Sequence, residues 1–311
     1  MKLIGLALSL LVLVGAASLP ALAAAEPPPV VQSAKATVRR VALENAVPCL
    51  GWVDTDQKPK GIVLCLHELG MHSGVFEDFG RKMAERGFAC YAIDLRGFGS
   101  YARKPEKMSI PGSFDDALAT LKAIHKAHPD TPVFVLGEAM GGALALKIAA
   151  EHPDLVAGAI SSAPGGDHFK QASLDVTVGT RVITQIDRPS DIGKTFMERG
   201  TPDESKRAAF EKDPLVRLKL TPRECMQCQF FMFKSGGLAS RIKKLPVLIV
   251  QGKKDGMSKP IGAERVHKRL ATKDSQMLWV DDGDHYVYEG AVPDSAIQAT
   301  TAWLNSHTTA K

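Results

Sequence analysis

One short stretch limits the folds open to this chain more than any other. The apolar run Val133-Phe134-Val135-Leu136 leads without a break into Gly137-Glu138-Ala139-Met140-Gly141-Gly142, and a segment of helical character follows through Ala150. A strand that passes at once into a helix must turn within a few residues. Glycine gives the backbone the freedom for that turn and lets the helix pass close to the strand. The side chain of residue 139 is then presented above the strand's carboxyl end. A strand joined directly to a helix is a unit of a parallel sheet, where helices cover both faces.

The rest of the chain repeats this alternation. Residues 36–54 hold two short β-like stretches around Asn45 to Pro48, which predict a leading hairpin. Further strands are expected at 61–66, 88–93, 156–160, 246–250 and 277–280. Helices are expected at 76–86, 113–125, 263–270 and 294–304, with Ser113 and Asp116 as a capping-box-like start. The expected fold class is α/β, a mostly parallel central sheet with helices on both faces. Residues 165–244 break the pattern. They are expected to form a cap, or lid, inserted at the carboxyl edge of the sheet, where open α/β sheets carry their sites.

Both ends of the charge and hydropathy pattern carry information. Lys2, the apolar run Leu3 to Val14, and Ala21-Leu22-Ala23 with Ala25 have the form of a cleavable signal peptide. Pro20 and the short apolar run argue against a membrane span, and no Cys follows that would take a lipid anchor. The domain plan is therefore signal peptide 1–25, Pro-rich linker 26–35, core 36–164 and 245–311, and cap 165–244. The expected location is secreted or periplasmic. The net charge of +5 is too small and too dispersed for a nucleic-acid binder. It sits in residues 165–244, which hold 15 Lys+Arg and 10 Asp+Glu. A basic lid of this kind suits peripheral contact with an anionic membrane surface or ligand. Cys65 and Cys90 fall in apolar strands and read as core. Cys225 and Cys228 form a single C-x-x-C, open to either a local disulfide or two thiols. No His/Asp/Glu cluster has metal-ligand spacing, so neither a metal nor another cofactor is expected.

Five segments in order, each at a strand end, carry a family resemblance. Gly137-Glu138-Ala139-Met140-Gly141 resembles the G-x-S-x-G nucleophile elbow of the α/β-hydrolases. His67-Glu68-Leu69-Gly70 resembles an H-G-x-G oxyanion loop, and Asp94-Leu95-Arg96-Gly97-Phe98-Gly99 the loop that accompanies it. Asp255 in Gly252-Lys253-Lys254-Asp255 and His285 in Gly283-Asp284-His285 follow in the chain order that fold requires. Asp213-Pro214-Leu215-Val216 looks like a cap segment. Together, over roughly residues 40–306, they resemble the monoacylglycerol lipase/lysophospholipase-like group, the serine aminopeptidase S33-type hydrolases.

The resemblance implies an α/β-hydrolase fold and carboxylic-ester chemistry. In such an enzyme a serine attacks the ester, the histidine takes its proton and the aspartate orients the imidazole. Position by position, the nucleophile site is Ala139, the acid Asp255 and the base His285. The oxyanion donors are the backbone N–H groups of Leu69 and Met140, on a loop that includes His67, Glu68 and Gly70. Two positions depart from the pattern. Ala139 has no hydroxyl, and Glu68 stands where the group has glycine. The first expectation is an exported esterase- or lipase-like chain inactive or strongly impaired as a serine hydrolase. The alternatives are a non-catalytic binder of an acyl ester, lipid-like ligand or partner, and general-base chemistry by a His285–Asp255 dyad. His67 and His72 are expected to shape their loop, and Glu138 to point away from the pocket.

Overall fold

A computed structural model describes residues 38–41, 47, 49–103, 106–167 and 184–308. The signal-peptide and linker segments, and residues 168–183 of the expected cap, lie outside the described residues. The leading hairpin is β1 (Val38–Val41) against β2 (Cys49–Asp54), antiparallel. β2 in turn pairs antiparallel with β4 (Phe88–Ile93). The remaining strands are β3 (Gly61–Leu66), β5 (Val133–Glu138), β6 (Gly158–Ser162), β7 (Val247–Gly252) and β8 (Ser275–Val280). The eight-stranded sheet has the order β1-β2-β4-β3-β5-β6-β7-β8 and is parallel from β4 to β8.

Burial explains the unbroken apolar strands. All six residues of β3, β4, β5 and β7 are buried. Alternate residues of β3 feed opposite sides: Ile62, Leu64 and Leu66 join one apolar cluster, and Val63 and Cys65 the other. On the first side lie α2 (Ile110–Ala127), α3 (Met140–Glu151) and α8 (Pro260–Lys268), through residues such as Leu121, Leu144 and Val266. On the second lie α1 (Glu77–Ala84) and α9 (Asp294–Thr308), through Phe79, Met83 and Leu304. Burying each such side chain stabilises the fold by about 1.5–3 kcal/mol. The switch point of the sheet falls between β3 and β5, because the chain runs from β3 outward to β4 and then returns to the other side. Ligands of open α/β sheets gather at that place.

Several boundaries differ from expectation: α8 starts three residues early at Pro260 and β8 two early at Ser275, and two others bear on the loops of the site. α2 begins at Ile110, not Ser113, because Ser109 caps it by accepting from the Gly112 N–H and Pro111 fits the first turn. Ser113 and Asp116 instead serve a neighbouring loop. Ser113 Oγ accepts from Arg96 N, and the Asp116 carboxylate takes Arg96 Nε (2.6 Å) and Nη2 (2.8 Å). β6 is shifted two residues, to Gly158–Ser162, in register with Phe134 to Glu138.

Between β6 and β7 the described residues form α4 (Ile192–Gly200), α5 (Glu204–Lys212), α6 (Pro222–Met232) and α7 (Ser235–Ala239). α6 carries a full capping box, with Thr221 and Glu224 each bonding the other's backbone N–H. Cys225 and Cys228 lie on this helix as thiols, not joined in a disulfide, and Cys49, Cys65 and Cys90 are buried.

Candidate active site

The turn after β5 is built by steric exclusion. A Cβ on Gly137 would lie 2.1 Å from the Gly141 carbonyl carbon, and one on Gly141 only 2.0 Å from Leu66 O. Both positions therefore need glycine, and the start of α3 sits directly against the ends of β3 and β5. Ala139 has φ 44° and ψ −103°, a left-handed conformation that a residue with a Cβ adopts only at a cost of about 1–3 kcal/mol. Its N–H donates to Ser162 O, and its carbonyl accepts from Ala143 N, at 2.9 Å each. The strained turn of an elbow is intact, and a methyl group stands at its apex. Met140 opens α3, so its N–H has no partner within the helix.

His285 follows β8 and is buried. Its Nδ1 lies 2.8 Å from Asp255 Oδ2, on the loop after β7. Asp255 is held firmly: Oδ1 accepts from Met257 N and Ser258 N, and Oδ2 also accepts from Gln251 Nε2, each at 2.8 Å. The other imidazole nitrogen, Nε2, lies 3.2 Å from Glu68 Oε1. The sequence marks Glu68 as a departure from the family pattern; the structure shows where its carboxylate goes. It fills the hydrogen-bonding position on Nε2 that a nucleophile's hydroxyl would take. Burial works against a charged imidazole, but the Asp255 and Glu68 carboxylates outweigh it and hold the His285 pKa well above its ordinary value. The two carboxylates thus favour the charged form of His285, and burial of Asp255 is likewise outweighed by His285, so Asp255 stays below the usual carboxylate range.

Two further carboxyls lie behind this triad. Glu289 Oε1 accepts from the Glu68 N–H at 2.8 Å, and Glu138 Oε2 accepts from Tyr288 N at 2.6 Å. Burial pushes Glu138 up to about 8. Burial, with the charges of Glu138 and Glu68, raises Glu289 well above its ordinary value. Both are favoured as neutral acids. Sequence reasoning missed Glu289 altogether. The available signal for Glu138 was an acidic residue completing an apolar strand.

The other loop residues act as struts. His67 Nδ1 donates to Glu68 O (2.6 Å) and Nε2 accepts from Leu95 N (2.9 Å), so the ring is neutral and bridges the loops after β3 and β4. Burial lowers its pKa to about 4. Asp94 accepts from Ser73 N and Ser100 N at 2.8 Å each, closing the same pair of loops. His72 Nδ1 accepts from Gly74 N, which leaves Nε2 to donate to Asp213 Oδ2 at 2.9 Å. That hydrogen bond holds Asp213 below the usual carboxylate range. Gly70, with φ 89°, accepts from Arg217 N at 2.7 Å. The His285 loop is tied to the same inserted segment. His285 N donates to Gly200 O at 2.8 Å, and buried Lys206 Nζ bonds Asp284 Oδ1 (3.0 Å) and Tyr286 O (2.6 Å).

The structure thus brings Ala139, Met140, Glu68, Asp255 and His285 to the carboxyl ends of β5, β3, β7 and β8, with Leu69 and Gly70 in the turn after Glu68. Among the described residues no set of three His, Cys, Asp or Glu is arranged to hold a metal ion. The arrangement offers an imidazole held between two carboxylates, but no nucleophilic hydroxyl at the elbow.

Residues 57–289 match the family of serine aminopeptidases, S33. The monoacylglycerol lipase of Mycolicibacterium smegmatis is 24% identical over 255 residues, covering 82% of this chain and 90% of that protein. Human monoglyceride lipase is 24% identical over 273 residues, covering 84% and 87%. Among solved structures, a soluble variant of monoglyceride lipase from Saccharomyces cerevisiae, in complex with a substrate analog, superposes with a TM-score of 0.73 at 19% identity. That match covers 87% of this chain and 99% of the yeast chain. A monoacylglycerol lipase from Paleococcus ferrophilus gives 0.67 at 22% identity, covering 85% and 100%.

Proposed function

Because the chain belongs to the serine aminopeptidase S33 family, within the monoglyceride-lipase-like α/β-hydrolases, we propose that its site receives an acyl ester or similar lipid-like ligand but does not act as a serine hydrolase. The observation that carries this reading is Ala139. The elbow keeps its strained geometry, φ 44° and ψ −103°, with no oxygen to attack a carbonyl. Loss of a triad member removes the acyl-enzyme route and leaves a residual of about 10³–10⁴-fold over water, from the oxyanion hole and binding alone.

In this reading Leu69 and Met140 supply the backbone N–H groups that face the ligand's carbonyl oxygen. Residues 165–244 cap the site. Phe230 and Phe233, on and just after α6, are large apolar side chains exposed to 61% each, and Lys234 adjoins them. Aromatic side chains beside a basic surface suit a peripheral contact with anionic lipid. The N-terminal segment directs export, to a secreted or periplasmic location. Among the described residues no helix is long and apolar enough to cross a membrane. A second reading, acid–base chemistry without a covalent step, is favoured by the carboxylate on each nitrogen of His285.

The test pairs binding with labelling. A non-hydrolysable ether analogue of a monoacylglycerol is titrated calorimetrically against the chain, and a serine-directed fluorophosphonate is offered in parallel. The expected result is saturable binding of the ether with no labelling at the elbow. Absence of ether binding, or labelling within the site, refutes the reading.

A further inference from the structure

We propose that Glu68 is a catalytic general base, paired with His285 as general acid, so that the site hydrolyses an acyl ester by direct attack of water. The proposal rests on the reading that this site binds an acyl ester. It gives that site a reaction that Ala139 does not forbid.

Three observations carry it. First, Glu68 Oε1 is committed to His285 Nε2 at 3.2 Å, while Glu68 Oε2 is buried and has no hydrogen-bond partner among the described residues. A buried carboxylate oxygen left free is costly unless something binds it, and a water bound there would be hydrogen-bonded to a base. Second, Glu68 is rigidly placed. Glu289 holds its N–H, His67 holds its carbonyl, and Met71 N also donates to that carbonyl at 3.1 Å. Third, Glu68 follows β3, and Ala139 follows β5, on neighbouring strands in register at Leu66 and Gly137. The base therefore stands beside the elbow at the sheet's switch point, and the methyl of Ala139 does not compete for Nε2.

The resting charge state supports this assignment. A serine mechanism needs a neutral histidine at the start, to take the hydroxyl proton. Here the carboxylates of Asp255 and Glu68, one on each ring nitrogen, favour the protonated form of His285, which suits donation to a leaving group. The titratable groups around the pair are Asp255 after β7, Tyr286 and Glu289 after β8, Glu138 at the end of β5 and Cys228 on α6. Of these, only Asp255 bonds His285, whose other nitrogen is taken by Glu68.

The step balances. Glu68 Oε2 takes one proton from water as the water oxygen bonds the ester carbonyl carbon, and the carbonyl electron pair moves to its oxygen. The tetrahedral species collapses, the bond to the alkoxy oxygen breaks, and that oxygen takes the Nε2 proton of His285. The products are a carboxylic acid and an alcohol. Glu68 is left protonated on Oε2 and His285 neutral; a half-turn of the carboxyl brings the Oε2 proton to Nε2, in the place Oε1 holds at rest, and its transfer restores both.

The experiment uses the full chain with two substrates, a short-chain monoacylglycerol and a nitrophenyl ester of the same acid. The nitrophenolate departs without protonation, and the glyceryl alkoxide does not. We expect wild-type turnover of both, with turnover of the glyceryl ester falling at alkaline pH as His285 loses its proton. Glu68→Gln should lower kcat for both by about 100-fold or more, the usual contribution of a general base. His285→Gln should impair the glyceryl ester far more than the nitrophenyl ester. Turnover in ¹⁸O-water should place the label in the acid product and none in Glu68. Melting curves and binding of the ether analogue show that the variants keep their fold and site. Wild-type binding without turnover, unchanged turnover in Glu68→Gln, or label in Glu68 overturns the inference and leaves the ligand reading standing. Failure of the ether to bind the wild type refutes the ligand reading itself.

Discussion

Restoring the hydroxyl at the elbow should not by itself restore serine chemistry. In Ala139→Ser the new Oγ needs Nε2 of His285, and that nitrogen donates to Glu68 Oε1 at 3.2 Å. Both side chains are almost wholly buried, 0% and 4% exposed, so water does little to weaken the pair. A hydrogen bond between charged groups is worth about 1.5–3 kcal/mol. At about 1.4 kcal/mol per tenfold in rate, freeing the imidazole costs the single variant roughly 10- to 100-fold. Ala139→Ser combined with Glu68→Gly should therefore form an acyl-enzyme about 10–100 times faster than Ala139→Ser alone. Removing one of two carboxylates also moves the His285 pKa down toward its ordinary value, so the double variant should gain activity at lower pH than the single one. The assay is the pre-steady-state burst with a nitrophenyl ester, checked by the rate of fluorophosphonate labelling. Equal burst rates in the two variants would mean that Glu68 does not hold the imidazole and that the reasoning fails.

Two further expectations concern the supports of the site. Lys206→Met leaves the buried Asp284 carboxylate without its cation, which should cost about 3–5 kcal/mol; a urea midpoint shift equivalent to less than about 1 kcal/mol would contradict this. Glu138, raised to about 8 from an ordinary 4.5, binds more protons folded than unfolded between those values, so its contribution to stability declines as pH rises through that window. Glu138→Gln removes the decline, and the melting temperature of the variant relative to wild type should climb from pH 5 to pH 8. A constant difference would show that Glu138 is not held neutral.

Much of this architecture is legible in residue order. The apolar strands, the glycines at 137 and 141, and the order Ala139, Asp255, His285 are local signals, and each reflects a local constraint. The elbow glycines are legible because no other residue fits between strand and helix. The contact between Glu68 and His285 joins residues 217 apart in the chain. Glu68 could be seen to differ from the resembled pattern, but the direction of its side chain depends on the packing of β3 beside β5. The same holds for Glu289 and for the Lys206–Asp284 pair, which depend on how distant loops meet. The start of α2 departs from its sequence pattern for a nearer reason. Ser113 and Asp116 have the spacing of a capping box, but Arg96 claims both. A capping pattern states what a side chain is able to bond, and tertiary structure decides what it does bond.

The ties between the inserted segment and the two loops of the site have a mechanical consequence. Arg217 N to Gly70 O, and His72 to Asp213, fasten the turn that bears Leu69; Gly200 O to His285 N, and Lys206 to Asp284, fasten the histidine. The segment between β6 and β7 is thus a scaffold for both loops. Shifting residues 200–217 far enough to break these bonds removes the supports of both the Leu69 turn and the imidazole. Any displacement of residues 200–217 would therefore act on the Leu69 turn and on His285 together, and would not loosen one alone.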